Sequence, residues 1–438
     1  MDYTPHTEEE IQAMLERVGA GSLEDLYRHL PKEVLNPEIS LPEPLPEWAV
    51  LEELKRLAGK NKPAFKAFLG GGVRSHHTPP VVQALASRGE FLTAYTPYQP
   101  EVSQGVLQAT FEYQTMVAEL AGLEVANASL YDGATALAEG VLLALRETGR
   151  MRVLVSQGVH PEYREVLRSY LEAVGVELIT LPLEGGRTPS GEVPERVGAV
   201  VAQNPNFLGA LEDLAPLAEA AHRVGALFVA VADPLSLGVL EPPGAYGADI
   251  AVGDGQTLGL PMGFGGPHFG YLATKKAFVR QIPGRLVSET VDAEGKRGFI
   301  LTLQAREQYI RRAKAKSNIT TNAQLTALMG AMYLAALGPE GLKEVALKSV
   351  AMAHRLWELL LEIPGVEPFT PEPFFNEFVL RLPQKPQAVR EALAARGFHA
   401  ATPVPGEYGE NLALFATTEL HREEDLLALR AAMREVLA

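Results

Sequence analysis

The sequence predicts an α/β protein: a large wound domain with a mostly parallel sheet, an N-terminal helical arm, and a small α+β C-terminal domain. Three observations carry this. Short apolar runs alternate with helical patterns between about residues 70 and 330, the order that crossover helices and a parallel sheet produce. Several of those runs are apolar throughout, as strands covered on both faces are. Before and after this stretch the pattern changes, first to helices alone, then to strands with helices segregated around them. The domains are therefore expected at 1–64, 65–335 and 336–438.

In the arm, Thr7 precedes Glu8, Glu9 and Glu10 and a stripe of Ile11, Met14, Leu15 and Val18. That is a cap and an acidic first turn ahead of an amphipathic helix. Ser22–Leu30 reads as a second short helix, Pro42–Pro46 as a stiff spacer, and Trp48–Leu57 as a third helix. Such an arm packs on its own body or clasps a partner, and the pattern leaves both open. In the large domain, helices are expected from Pro100 to Leu120 and from Asp132 to Glu147. Strands are expected at Arg152–Ser156, Gly198–Ala202, Leu227–Ala232, Ile250–Val252 and Phe269–Ala273. Helices at Glu162–Val174 and Leu211–Val224 separate them. The last domain follows a linker near Gly338–Gly341. It is expected to run as helix Gly341–Glu362, strand Glu377–Leu382, helix Gln387–Arg396, strand Leu412–Thr417 and helix Arg422–Leu437.

Composition narrows the function classes. Hydrophobic residues at 47% and charged residues at 21% exclude wholesale disorder. No run of about 18 apolar residues suggests a membrane span. The acidic, polar first ten residues lack the pattern of a signal peptide, so a cytoplasmic location is expected. The absence of cysteine removes disulfides, thiolate metal sites and a thiol nucleophile. A net charge of −15 argues against non-specific nucleic-acid binding, which rests on Lys and Arg. No metal is expected, because His76-His77 has no neighbouring ligand and no His-Glu-x-x-His run occurs.

Three sites along the large domain bear on chemistry. Asp132-Gly133-Ala134-Thr135 opens a helix, and small residues there leave N–H groups free to cradle a phosphate; a plain capped helix has the same look. Asp233 ends an apolar strand, where α/β sheets place ligands. In pyridoxal-phosphate enzymes such an Asp pairs with the ring nitrogen; the plainer alternative is a cap on the turn that Pro234 begins. A further 23 residues on, where that fold would carry its Schiff-base Lys, stands Gln256. An amide cannot form the covalent link. Lys275 and Lys276 follow the next strand and are expected to face solvent. The reading is a degenerate cofactor site at Asp132, Gly133, Thr135, Asp233 and Gln256, with no catalytic residue in this chain alone.

At this point the chain resembles a known family. Tyr95-Thr96-Pro97-Tyr98-Gln99-Pro100-Glu101-Val102-Ser103-Gln104-Gly105, Tyr113-Gln114-Thr115-Met116 and Asn127-Ala128-Ser129-Leu130 are similar to the glycine decarboxylase P-protein. So are Gly263-Phe264-Gly265-Gly266-Pro267-His268, Pro283-Gly284-Arg285, Arg306-Glu307-Gln308-Tyr309-Ile310-Arg311-Arg312 and Ser317-Asn318-Ile319. The likeness is dense from about residue 65 to 335, and it is to the half of the family's long chain that lacks the lysine. It implies a fold type I pyridoxal-phosphate architecture and a role as subunit 1 of an α₂β₂ glycine dehydrogenase of the glycine cleavage system. The cofactor would be bound covalently by the Lys-bearing subunit 2. Glycine would lose CO₂, and its aminomethyl group would pass to the lipoyl group of the H-protein. Active sites of this fold lie between subunits, so Arg74, Ser75, His76, His77, Tyr95, Tyr98 and Gln99 are candidates to close the partner's site. The alternative for the two histidines is a solvated turn before Pro79-Pro80. The run Arg306, Arg311, Arg312, Lys314 and Lys316, with Ser317 and Asn318, is a candidate partner-binding surface or a solvated helix face. Rival readings are a stand-alone pyridoxal-phosphate enzyme using Lys275 and a purely structural or regulatory subunit.

Overall fold

The structure is a computed structural model describing residues 5–35, 37–61 and 66–438. It divides into two units, 1–63 and 64–438. The expected domain boundary at 64/65 lies outside the described residues.

In the first unit, helix α1 (Glu8–Val18) starts in a capping box. Thr7 Oγ1 accepts from Glu10 N at 3.3 Å, and Thr7 N donates to the Glu10 carboxylate at 2.9 Å. The expected helix over 22–30 is only a short 3₁₀ turn, Glu24–Tyr27. The Asp25 carboxylate takes Gly21 N and Ser22 N, local bonds that compete with helical ones. Helix α2 covers Glu47–Ala58 and leaves Trp48, Leu51 and Leu54 exposed.

The second unit is built on a seven-stranded sheet: β1 (Val125–Ala126), β2 (Arg152–Ser156), β3 (Glu177–Leu181), β4 (Ala199–Gln203), β5 (Leu227–Val231), β6 (Ile250–Asp254) and β7 (Gly270–Thr274). Their order is β1-β7-β6-β5-β4-β2-β3. The five strands from β6 to β3 run parallel. Helix crossovers make this feasible between β2 and β3 and between β4 and β5. The segment from β6 to β7 holds no helix, and β7 returns antiparallel; β1 is antiparallel to β7 and so runs in the same sense as the other five.

Side-chain alternation explains why both faces are covered. Val229 and Val231 of β5 join, in one core, Leu137, Val141 and Leu145 of helix α4 (Gly133–Thr148), which follows α3 (Gln104–Ala121) in the chain. Phe228 and Ala230 point the other way, against Leu217, Ala218 and Ala221 of helix α6 (Ala215–Arg223), which follows α5 (Pro161–Glu172) in the chain. Each large aliphatic side chain buried here stabilises the fold by about 1.5–3 kcal/mol relative to exposure.

The C-terminal residues build a four-stranded antiparallel sheet in the order 367–368, 377–381, 412–416, 402–403. Leu356 and Leu360 pack with Val389, Leu393, Leu426 and Leu429 on it. This layer is stitched to the large sheet: Phe375 N donates to Gly209 O at 3.1 Å, and Leu211 N to Pro373 O at 2.9 Å. Gly209, at φ +88°, is needed there because a Cβ would collide with the Glu377 carbonyl.

The long helix begins earlier than expected, at Gln324, and continues to Leu361 across a break at Gly338, where φ is 61° and ψ is −178°. Pro339 opens the second stretch, where its missing N–H costs nothing. The expected linker is thus a kink. By length and composition this helix could cross a membrane. Its apolar side chains have a nearer explanation, since Ala327 and Tyr333 lie in one core and Leu356 and Leu360 in another.

Candidate functional site

A cavity of about 560 Å³ opens where the parallel strands end and α4 begins. The sequence-predicted Asp132, Gly133, Thr135, Asp233 and Gln256 all line it, as does Arg74. The structure therefore brings together the degenerate cofactor site and one residue expected elsewhere.

Asp233 follows β5 and serves two purposes. Its Oδ1 accepts from Leu235 N at 3.0 Å and from Thr257 Oγ1 at 2.8 Å, so it does cap the following turn. Its Oδ2 is paired with the Arg74 guanidinium. The other arm of Arg74 reaches Glu377 Oε1 at 3.1 Å, and Glu377 also accepts from Gly71 N at 2.8 Å. Burial alone would lower the Arg74 pKa, but Glu377 and Asp233 more than offset it, so the group is held charged. Arg74 is one of the candidates to close the partner's site. It is buried and engaged within its own chain, because two nearby carboxylates compensate its desolvation.

Gln256 is 3% exposed and clamps the Arg74 main chain. Its Oε1 accepts from Arg74 N at 3.0 Å, and its Nε2 donates to Arg74 O at 2.7 Å and Leu260 O at 3.0 Å. Only an amide offers both an acceptor and two donors here; an ammonium only donates. The residue in the lysine's place thus has a structural task of its own.

The start of α4 is also taken. Asp132 Oδ1 accepts from Thr135 N at 2.8 Å, and Asp254 Oδ2 from Gly133 N at 3.2 Å. A Cβ at Gly133 would overlap the Tyr163 hydroxyl, so glycine lets that ring lie against the helix start. Burial, reinforced by the Asp132 charge, raises the Asp254 pKa. Burial, and then Asp254 and Asp132, push the Tyr163 phenol well above its ordinary value. A phosphate would meet two carboxylates where it needs free N–H groups. Pyridoxal phosphate does not fit this cavity: the helix start is acidic, Asp233 is already paired, and no lysine is present.

Lys275 cannot substitute. Its Nζ bonds Asp249 Oδ1 at 2.6 Å, at the opposite end of β6 from the cavity, so it is ion-paired and not simply solvated as expected. Lys276 is exposed.

The other candidates divide by burial. His76 is not in a solvated turn: its Nδ1 lies 2.7 Å from Glu419 Oε2, and it is buried. That carboxylate also takes His77 N at 2.5 Å, while the His77 side chain is exposed. Ser75, Tyr95 and Gln99 are exposed. Tyr98 is 51% exposed, and its hydroxyl accepts from Arg285 Nη2 at 2.6 Å. The basic run forms short turns and one helical turn, Gln308–Arg311, not a continuous helix face. Arg306 is half-buried and uses its donors within its own chain. It donates to the carbonyls of Ile282, Gly284 and Leu303, and burial lowers its pKa to about 10. Arg311, Arg312 and Asn318 are exposed, and Ser317 is half-buried.

Tyr163, Asp254, His268 and Glu377 line the cavity without having been singled out as site residues. Asp254 and His268 lay within segments already notable, at a strand end and beside the Gly-rich run. Glu377 had no local signal, since its partner Arg74 is distant in sequence.

The family model for the glycine cleavage system P-protein matches residues 1–433. The chain is 49% identical over 445 residues to a Moorella thermoacetica protein named "Probable glycine dehydrogenase (decarboxylating) subunit 1", with all of both chains covered. It is similar in the same degree, 49% over 451 residues, to a Rhodospirillum rubrum protein of the same name. A crystal structure described as glycine decarboxylase (P-protein) of the glycine cleavage system, in inhibitor-bound form, is 85% identical over the whole of both chains, with a TM-score of 0.90. A Burkholderia pseudomallei sphingosine-1-phosphate lyase, 14% identical over 93% of this chain and 94% of its own, shares the fold with a TM-score of 0.66. The architecture is that of fold type I pyridoxal-phosphate enzymes. The chain belongs to the glycine cleavage system P-protein family.

Proposed function

We propose that this chain is the lysine-free subunit of a two-chain glycine decarboxylase, inactive alone and completed in an α₂β₂ assembly by a subunit that carries the Schiff-base lysine. One observation carries the reading: the chain's own cofactor-type cavity is closed to pyridoxal phosphate by the Arg74–Asp233–Glu377 cluster, Asp254 and Gln256. In the assembly glycine loses its carboxylate as CO₂, and the aminomethyl group passes to the lipoyl disulfide of the H-protein. Pyridoxal phosphate, held by the partner, supplies the electron sink.

This chain's share is to wall the partner's site. Exposed His77, Tyr95, Tyr98 and Gln99 are the groups free to do so. The Tyr98 ring is positioned by Arg285, whose guanidinium carbon lies 5.1 Å from the ring centre. Exposed Arg311 and Arg312 are suited to an acidic partner surface such as that of the H-protein. The test is co-expression with the Lys-bearing subunit and glycine–bicarbonate exchange by each chain alone and by the mixture. Exchange by this chain alone would overturn the reading. A purely structural subunit is the second reading; it is favoured if Tyr98→Phe and His77→Ala both leave turnover unchanged. Charge reversal at Arg311 and Arg312 is expected to raise the apparent KM for H-protein.

A further inference from the structure

Residues 74–77 alternate buried, exposed, buried, exposed. That is the alternation of an extended chain lying on a surface. The inward residues, Arg74 and His76, are anchored. Gln256 holds Arg74 N and Arg74 O, and the Arg74 side chain is paired with Asp233 and Glu377. One residue, Glu419, holds the other end. Its Oε2 lies 2.7 Å from His76 Nδ1, and its Oε1 accepts from His77 N at 2.5 Å. The outward residues, Ser75 and His77, are left free on the exposed side.

Glu419 is itself firmly placed. It follows the strand 412–416, and the residues between are pinned. Thr417 N donates to Asn376 O at 3.0 Å, Asn376 Nδ2 donates to Thr417 O at 3.0 Å, and Thr417 Oγ1 donates to Ser349 O at 3.0 Å. Thr418 N donates to His421 Nδ1 at 3.0 Å, and His421 Nε2 lies 2.9 Å from Ala67 O. Glu419 is 9% exposed. Burying a carboxylate is unfavourable unless its oxygens are hydrogen-bonded. Here both oxygens go to two consecutive residues that lie 343 and 342 positions earlier in the chain. Ending its own strand does not require a carboxylate so directed.

We infer that Glu419 is a positioning residue for the shared active site: by holding the His76 ring and the His77 main chain it fixes where the His77 imidazole stands. This rests on the reading that His77 walls the partner's site. Glu419 touches no reacting group and acts only through His77. The C-terminal layer thereby takes part in the reaction without reaching the substrate.

The test is glycine–bicarbonate exchange by the complex reconstituted with the Lys-bearing subunit, for His77→Ala, Glu419→Ala and the double variant. His77→Ala keeps the main-chain N–H that Glu419 holds, so the comparison reads the imidazole alone. Glu419→Ala is expected to lower kcat by about tenfold or more, as displacement of a site group does. Once the imidazole is gone it should lower kcat no further, so that the double variant matches His77→Ala. Glu419→Gln keeps an acceptor for His77 N and should lose less than Glu419→Ala. Losses that multiply in the double variant overturn the inference, because damage to folding or assembly acts alike in either background. Full activity of Glu419→Ala overturns it too. If Glu419→Ala does not assemble, Glu419→Asp, which keeps the charge and shortens the reach, takes its place under the same two criteria. Unchanged turnover in His77→Ala removes the reading of His77 itself; impaired His77→Ala with multiplying losses removes only the role of Glu419.

Discussion

Replacing Gln256 with lysine looks like the repair of a broken site, and the structure predicts the opposite. Gln256 Oε1 is the acceptor for Arg74 N at 3.0 Å, in a place where Gln256 is only 3% exposed. Lysine has no acceptor, so the Arg74 N–H is stranded at a cost of about 1–3 kcal/mol. The ammonium can still donate to Arg74 O or Leu260 O, but it must be desolvated in the cavity wall that already holds the Arg74 guanidinium. Burial and like charge add a comparable penalty, which makes Gln256→Lys about 3–5 kcal/mol less stable. Urea denaturation of the two proteins measures this as a lower midpoint. Incubation with pyridoxal phosphate, borohydride reduction and peptide mass spectrometry then asks whether position 256 captures the cofactor. No adduct above background is expected, because Asp254 still holds the helix start and Arg74 still holds Asp233. A variant as stable as the parent, with stoichiometric labelling at 256, would refute the reasoning.

Arg74→Met should cost about 3–5 kcal/mol, since it strands Asp233 and Glu377, and adding Asp233→Asn and Glu377→Gln should recover much of that in the same denaturation assay. Gly133→Ala should cost about 1–3 kcal/mol through overlap with Tyr163, and less in a Tyr163→Phe background, where the hydroxyl is gone. Burial would raise the Glu419 pKa, but His76 and the His77 N–H outweigh it and lower the pKa overall. A depressed carboxylate contributes stability above its unfolded pKa and loses it as pH falls through the folded value. Glu419→Gln should therefore flatten the acid limb of the stability–pH curve, and an unchanged limb would exclude Glu419 from acid unfolding.

The sheet was legible because its strands are short, apolar and separated by amphipathic helices; Arg152–Ser156 was located to the residue. The direction of β7 was not legible, since an apolar run looks the same whichever way it pairs. Asp233 and Gln256 could be read from their places at strand ends. What those residues do could not, because Arg74 and Glu377 come to them from 159 residues before and from a separate sheet. Arg306 shows the converse limit. Its neighbours in sequence suggest a charged surface, yet three carbonyls of its own chain take its donors and leave it half-buried. Ser22–Leu30 failed for a local reason, since one carboxylate, Asp25, took the N–H groups that start a helix.

The pairing of Arg74 with Asp233 also bears on reversibility. A lysine at position 256 would arrive beside a neutralised aspartate and an acidic helix start. Removing Arg74 first would leave Asp233 and Glu377 facing each other without a cation. Changing Asp254 first would free one N–H group and leave the other two obstacles in place. No single change removes all three obstacles, which sit at positions 74, 254 and 256. Position 256 is thereby tied to distant parts of the chain, since the glutamine there holds the Arg74 main chain while Arg74 holds Asp233.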